Sequence, residues 1–462
     1  MIRIFRHYVP AGSVFQFFLD ILFLGAIALF VLSSPIQATA PMYGLREEFV
    51  LKSLLLALAM GTGFLLGGLY EAESPERSIF LVAARSVVSF LFGAVTFAFF
   101  YWVMFPFATG SAGFFGIAIA AFPLIVGGRL ISAGLRRAAR PSGQRVLVLG
   151  TGQRAFSVQK LMEVSENRSR VHVSGYLQMG DADRAVNAAN ILPPGKSLST
   201  IVKELRISEI IVALMDRRGG LPLDELMQCR MMGVRVTELS SFFERETGSL
   251  RLDSVSPGWM IHSDGFEHGM IQKRIFDILA SLVLLVVSLP IMAIGALMVY
   301  LEDGAPIIYR QERTGQYGRS FVIYKFRSMR NDAEKDGRPK WASKNDSRIT
   351  RVGRILRKLR IDELPQIFNV LKGDMSFVGP RPERPFFVKQ LCEKFDLYQY
   401  RHNVKPGITG WAQVCFSYGD SIEDSAEKLQ YDLYYVKNHS LFLDVVILMR
   451  TVRVVLFGKG AQ

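Results

Sequence analysis

Residues Arg360 to Pro382 read RIDELPQIFNVLKGDMSFVGPRP. An adjacent pair of carboxylates, Asp362 and Glu363, follows a run of arginines, and Pro380-Arg381-Pro382 closes the segment. Neighbouring carboxylates in a basic field point to phosphoryl-transfer chemistry. A carboxylate that attacks a diphosphate meets like-charge repulsion, so cations, a helix N-terminus or a divalent metal must spread the developing charge. Lys325, Arg327, Arg357 and Arg381 can supply cations. Asp362 and Glu363 together also make a seat for Mg2+, which takes one or two carboxylates along with phosphate oxygens and water. Neither a Walker A loop nor a kinase HRD or DFG element is present, which argues against nucleoside triphosphate hydrolysis. Asp362 is expected to N-cap the following helix, with Pro365 in its first turn and Gly373 just past its end.

Upstream, Arg348 to Arg360 reads RITRVGRILRKLR, with Ile349, Val352, Ile355, Leu356 and Leu359 on one helical face. This is a basic amphipathic helix, suited to a bilayer surface or to packing on the protein's own core. Further upstream lies the 24-residue apolar run Ile278 to Leu301, interrupted by Ser288-Leu289-Pro290. Basic residues flank it on both sides, so both ends belong on the cytoplasmic side. A re-entrant helix that breaks at Ser288 and Pro290 satisfies that constraint; a Pro-kinked spanning helix is the alternative. Pro290 frees the carbonyl of Val286, and the Ser288 hydroxyl can help satisfy backbone groups at that depth.

The rest of the chain supports a membrane setting. Half of its 462 residues are hydrophobic and its mean hydropathy is +0.24, too apolar for an ordinary soluble enzyme. The net charge is +14, concentrated in residues 304–384, which hold 19 basic against 9 acidic residues. With no nucleic-acid-binding signature, such a patch fits phosphates and anionic lipid better than nucleic acid. Four apolar runs open the protein, Val14–Leu32, Phe49–Leu69, Ile79–Val103 and Gly113–Ala133, each near the ~20 residues that cross a hydrocarbon core. Basic residues at Arg3, Arg6, Arg77, Arg85 and 136–145 place the N-terminus and everything after residue 134 in the cytoplasm. The three cysteines have no metal-ligand spacing, and the six histidines adjoin no nucleophile motif.

Residues 145–254 begin with a strand, a Gly150-Thr151-Gly152 turn and a helix-like stretch to Glu163. Further strand candidates are Val171–Leu177, Ile207–Leu214 and Val234–Thr237, with a helix over Leu223–Met232. This is a Rossmann-like α/β domain, but with no acidic residue ending the second strand it reads as degenerate or regulatory. The expected architecture is a multidomain membrane protein: a four-helix transmembrane bundle (1–141), the α/β domain (142–254), a Gly/Pro linker (255–272), and a mainly helical catalytic domain (273–462) carrying the re-entrant helix (275–301).

Several ordered motifs now carry a resemblance. Lys325-Phe-Arg-Ser-Met329, Asp362-Glu-Leu-Pro-Gln366, Lys372-Gly-Asp-Met-Ser-Phe-Val-Gly-Pro-Arg-Pro382 and Lys405-Pro-Gly-Ile-Thr-Gly-Trp-Ala-Gln413 resemble the bacterial sugar transferase family. These are monotopic polyprenyl-phosphate hexose-1-phosphate transferases, and the upstream spans resemble long-form members that initiate exopolysaccharide synthesis. The resemblance implies that Asp362 attacks the β-phosphorus of a UDP-sugar, releasing UMP, and that undecaprenyl phosphate then takes the phosphosugar from the aspartate. It implies Glu363 as partner carboxylate, Lys325 and Arg357 around the pair, Pro380-Arg381-Pro382 on the nucleotide side and a further role for Asp432. It also implies the helix break at Ser288 and Pro290. A homodimer is an open expectation. After Gln413-Val414 the chain reads Cys415-Phe-Ser-Tyr-Gly419, lacking the arginine that many relatives have there.

Local roles stay open for several residues. Gly379, Gly407 and Gly410 permit tight turns, Trp411 suits a core, an interface or a sugar platform, and the run Leu441–Phe457 suits a packing helix or a membrane-surface helix, with Arg450 and Arg453 tilting it toward the surface. Two rivals remain. A nucleotide-sugar dehydratase or epimerase needs a Tyr-x-x-x-Lys pair, which Tyr431, Tyr435 and Lys437 do not form. A non-enzymatic nucleotide-sensing membrane regulator predicts that Asp362 is dispensable.

Overall fold

The computed structural model describes residues 1–33, 45–69, 79–104, 122–123, 125–128, 131, 144–164, 171–179, 184–214, 221–253, 255, 264–266, 271–330, 346–416 and 421–457. The protein is mostly helical, with short sheets, and divides into two compact units: Met1–Ile2 with Tyr8–Glu246, and Arg3–His7 with Thr247–Gln462.

In the first unit, three of the four predicted apolar runs are helices, Ala11–Ser33, Leu45–Leu66 and Ile79–Met104. The fourth run falls mostly outside the described residues. Small residues let the second and third helices approach closely, Gly63 and Gly67 lying against Ser89 and Gly93. The α/β region holds four parallel strands, Gln144–Leu149, Val171–Leu177, Glu209–Val212 and Arg235–Glu238, in the spatial order second, first, third, fourth. Alternate residues of the central strands enter different cores. Val146, Val148 and Ile211 face one, and Leu147, Leu149 and Ile210 face the other. Both faces are therefore covered, and this is why these strands read as unbroken apolar runs. Gly150 takes φ +116°, which only glycine adopts without strain. The helices Leu198–Leu205 and Leu239–Thr247, absent from the sequence expectation, complete this region.

The second unit starts from a 33-residue helix, Ile271–Asp303, that runs without interruption through Pro290, so the helix break expected at Ser288 and Pro290 is not seen: the ring removes one backbone donor without ending the helix. It and Ala83–Met104 are the two helices among the described residues long and apolar enough to cross a membrane. Most of its surface is exposed and apolar, including Leu282, Val286, Leu289, Ile294 and Leu297. Polar residues sew both of its ends to the rest of the unit. Arg274 donates to the carbonyls of Val370 (2.6 Å) and Leu371 (2.7 Å), Lys273 pairs with Asp444 (2.5 Å), and buried Asp277 accepts from Ser376 Oγ (3.0 Å). At the far end Arg327 donates to the carbonyls of Asp303 and Gly304, both at 2.8 Å. Ser288 is buried, but its hydroxyl donates to Met292 Sδ (3.7 Å) and not to the backbone acceptor expected for it.

The helix leads into an antiparallel hairpin, Ile308–Thr314 with Ser320–Phe326, and then into the basic helix Arg351–Lys358. Thr350 caps that helix, and Glu302 accepts from the amides of Arg351 (2.8 Å) and Val352 (3.0 Å), placing a carboxylate at the positive end of the helix dipole. Its apolar face divides: Leu356 is buried against Val299 and Phe326, while Ile355 and Leu359 stay exposed. Packing on the protein's own core thus accounts for part of this apolar face.

The core of this unit gathers Val370, Met375, Trp411, Leu433, Tyr434, Leu443 and Ile447. Trp411 is a core residue here, its Nε1 donating to the Gly248 carbonyl at 2.7 Å and its ring stacked on Tyr434. The final helix, Leu441–Phe457, buries Leu443, Asp444 and Ile447 and leaves Val445 and Val452 exposed, so one face of it packs on the core. Residues Arg3–His7 belong to this same unit. His7 is buried, with Nδ1 2.8 Å from the Tyr434 hydroxyl and its ring edge-on to Trp411.

Gly379, Gly407 and Gly410 correct another expectation. None has positive φ; they let two short parallel strands, Ser376–Val378 and Gly407–Thr409, close in on each other. A methyl group on Gly407 would run into the Gly379 backbone, and one on Gly379 into the Lys405 carbonyl.

Candidate active site

The segment Ile361–Gln366 forms a 3-10 helix, entered through Arg360 at φ +58°. Asp362 therefore lies inside this turn and does not cap the next helix, Ile367–Lys372, although Gly373 ends that helix in the left-handed conformation as expected (φ +97°). Asp362 and Glu363 are both buried.

Their surroundings differ. Glu363 Oε1 accepts from Lys325 Nζ at 2.9 Å and lies 3.4 Å from Arg381 Nη2, and its Oε2 lies 3.6 Å from Arg360 Nη1. Burial works against the Glu363 charge, but Lys325, Arg381 and Arg360 outweigh it and hold this carboxyl well below its usual range. Asp362 Oδ1 is buried with no hydrogen-bond partner. Burial, and then the charge of Glu363, push the Asp362 carboxyl above its usual value, against the pull of Lys325, Arg357 and Arg360. One carboxylate is thus neutralised by cations, while its neighbour keeps an uncommitted oxygen.

That oxygen bears on the question of metal. Mg2+ needs few protein ligands when substrate phosphates and water complete its shell. Of the two carboxylates Asp362 fits such a role better, because both Glu363 oxygens are engaged with cations. No group of three or more His, Cys, Asp or Glu that could hold a metal occurs among the described residues.

The other predicted residues scatter by function. Lys325 and Arg381 converge on Glu363, and Arg357 Nε donates to Ser328 Oγ at 2.9 Å. Arg327 is buried at the end of the long helix, on the Asp303 and Gly304 carbonyls, so it serves that helix and not the pair. Asp432 is also buried, and its Oδ2 accepts from Arg401 Nη2 (2.7 Å) and Nε (3.0 Å). Arg401 was invisible in the sequence reading, because its partners lie 20 and 31 residues away. Ser288 and Pro290 sit near the middle of the long helix, and neither lines the apolar cavity of about 470 Å³ that the same helix borders through Leu289. Leu289, Met292 and Ala296 line it from the helix, Tyr324 and Arg310 from the hairpin, and Pro365 and Phe368 from beyond the carboxylate pair.

Comparison with known proteins is consistent with this geometry. A family model described as bacterial sugar transferase matches residues 268–458. The chain is 33% identical over 353 residues to an undecaprenyl-phosphate galactose phosphotransferase of Salmonella typhimurium, covering 69% of each. It is 42% identical over 240 residues to a UDP-N-acetylgalactosamine-undecaprenyl-phosphate N-acetylgalactosaminephosphotransferase of Aeromonas hydrophila, covering 51% of this chain and 56% of that one. It is 40% identical over 200 residues to an undecaprenyl-phosphate glucose phosphotransferase of Komagataeibacter xylinus, covering 42% and 38%. The chain thus spans about half the length of the Aeromonas relative and less of the Komagataeibacter one.

Proposed function

We propose, from the premise that this chain belongs to the bacterial sugar transferase family, that it transfers a hexose-1-phosphate from a UDP-sugar to undecaprenyl phosphate and so initiates exopolysaccharide repeat-unit synthesis. Asp362 attacks the β-phosphorus of the donor; a bond from the aspartyl oxygen to phosphorus forms, the bond to the bridging oxygen breaks, and UMP leaves. A phosphate oxygen of the lipid then attacks the same phosphorus, and Asp362 departs as carboxylate. The observation that carries this reading is the buried, unpartnered Oδ1 of Asp362 beside a Glu363 already neutralised by three cations. A nucleophile must keep its lone pair free, and the approaching diphosphate needs positive charge nearby. A magnesium ion held by Asp362 and donor oxygens would offset the diphosphate charge. The acceptor's apolar tail suits the cavity lined by Leu289, Met292 and Phe368, on a helix with an exposed apolar surface.

The layout we infer is a four-helix transmembrane bundle over 1–141, a Rossmann-like domain over 142–254 and a catalytic domain over 273–462. The parallel sheet order supports the second of these. The helix Ile271–Asp303 is read as re-entrant. Arg274 and Arg327 tie both of its ends to the same unit, which supports this reading although the helix continues through Pro290. The burial of His7 supports an even number of crossings between the N-terminus and that unit, and the positive-inside pattern puts both in the bacterial cytoplasm. The test is to incubate the full chain with a UDP-sugar labelled in the sugar-proximal phosphate. Label is expected on the protein, released as lipid product by undecaprenyl phosphate and absent in Asp362→Asn. Labelling of Asp362→Asn at the wild-type level refutes the reading.

A further inference from the structure

Three consecutive carbonyls, those of Pro380, Arg381 and Pro382, are each held by a donor from a distant part of the chain. Gly407 N donates to the first at 3.0 Å, Arg401 Nη2 to the second at 2.9 Å and Arg313 Nη1 to the third at 3.3 Å. The two prolines already restrict φ and offer no N–H. This is an unusual amount of restraint for an irregular segment. What it presents toward the carboxylate pair is the Arg381 guanidinium, 3.4 Å from Glu363.

Arg401 is the most costly of the three donors. It is 4% exposed and its partner Asp432 is 3% exposed, so two charges have left water. A buried pair of this kind is often no more stabilising than apolar residues of the same volume, so stability is a weak reason for placing one here. Its geometry gives a better reason. Nε and Nη2 go to Asp432 Oδ2, Nη1 to the Tyr398 hydroxyl (3.2 Å) and Nη2 also to the Arg381 carbonyl. A planar guanidinium held on several sides fixes the direction of its remaining bond, which a lysine ammonium cannot do.

We propose that Arg401, oriented by Asp432 and Tyr398, is a positioning residue that sets the place of Arg381 against Glu363 and hence against the donor diphosphate. The inference rests on the transferase reading of the site and assigns Asp432 to the support of Arg401 instead of to substrate.

The experiment uses the full chain in detergent, with two readouts: UDP affinity by calorimetry, and the rate and pH profile of UMP release without lipid acceptor. Arg401→Lys keeps a cation for Asp432 but cannot span Asp432, Tyr398 and the Arg381 carbonyl together. It is expected to slow UMP release by about 10–100-fold, the range that small misplacements of reacting groups cost, to weaken UDP binding and to move the acid limb of the profile to higher pH. In an Arg381→Ala background the same change is expected to alter either readout less than about twofold, because coupled residues are not additive. A full-size effect in that background, or a folded Arg401→Lys with unchanged affinity and profile, overturns the proposal. If thermal unfolding shows that Arg401→Lys does not fold, Asp432→Asn is read by the same criteria. A wild-type chain that releases no UMP sinks the transferase reading, while the dependence of UDP affinity on Arg401 through Arg381 still decides this one.

Discussion

Lys325 Nζ lies 2.9 Å from Glu363 Oε1, and so the second carboxylate of the pair, not the first, absorbs the nearest positive charge. Asp362 and Glu363 are adjacent in sequence but are pushed in opposite directions, up for Asp362 and down for Glu363. Partners that titrate together share their protons, so the pair and not either residue sets the pH profile.

Glu363→Gln removes the negative neighbour that helps raise the Asp362 carboxyl. The acid limb of UMP release should therefore move to lower pH. Lys325→Met removes a cation that opposes that rise, so its limb should move to higher pH. Both variants should lose plateau rate by at least about tenfold, in line with the loss of a charge-stabilising group. Limbs that move in the same direction would contradict this account of the pair.

Filling the cavity lined by Leu289 and Met292 separates the two half-reactions. Ala293 and Ala296 line it, and a phenylalanine at either position occupies the space assigned to the lipid tail. Transfer to undecaprenyl phosphate should fall by about tenfold or more, the effect of blocking one or two kcal/mol of apolar burial, while sugar phosphate still accumulates on the protein. Lipid product measured alongside protein-bound label gives the answer, and undiminished lipid transfer rules out the cavity as the acceptor's place.

Gly407→Ala drives a methyl group into the backbone of Gly379, where no flexible side chain can yield. A loss of about 2–3 kcal/mol is expected, typical of overpacking against fixed neighbours, and is read as a lower unfolding midpoint. Because the same strand pair holds the Pro380 carbonyl, UDP affinity should fall with it.

His7 makes stability pH-dependent. Burial, then the charge of Arg450, push its imidazole down to about 4, below the unfolded value near 6.5. Between those values the unfolded chain binds a proton that the folded chain refuses. The stabilisation is therefore full above about pH 6.5 and is lost as pH falls toward 4, by up to about 3 kcal/mol. Raised carboxylates such as Asp432 and Asp444 act in the opposite sense, so the comparison to make is wild type against His7→Gln. The stability gap between them should narrow from pH 7 to pH 4; a constant gap would show that His7 titrates normally.

What could be read in advance followed from local chemistry. The strand Val171–Leu177, the glycine turn at Gly150 and the left-handed Gly373 were legible because periodicity and φ act over a few residues. The carboxylate pair was legible for a similar reason, since adjacent acids in a run of arginines need an explanation wherever they fold. Arg401 was not legible. It resembles any basic residue before a Lys-Pro-Gly turn until Asp432 and the Arg381 carbonyl are brought to it. Trp411 and the helix after Leu441 stayed open between alternatives for the same reason, because a residue's burial depends on partners that sequence spacing does not reveal.

The contact of His7 with Tyr434 joins residues 427 positions apart. At synthesis rates of about 5–20 residues per second, the ribosome finishes one partner about 20–85 seconds before it makes the other. The earliest residues must wait for this contact while the whole intervening chain is translated. This core can therefore close only late, and a stalled or truncated message leaves it open.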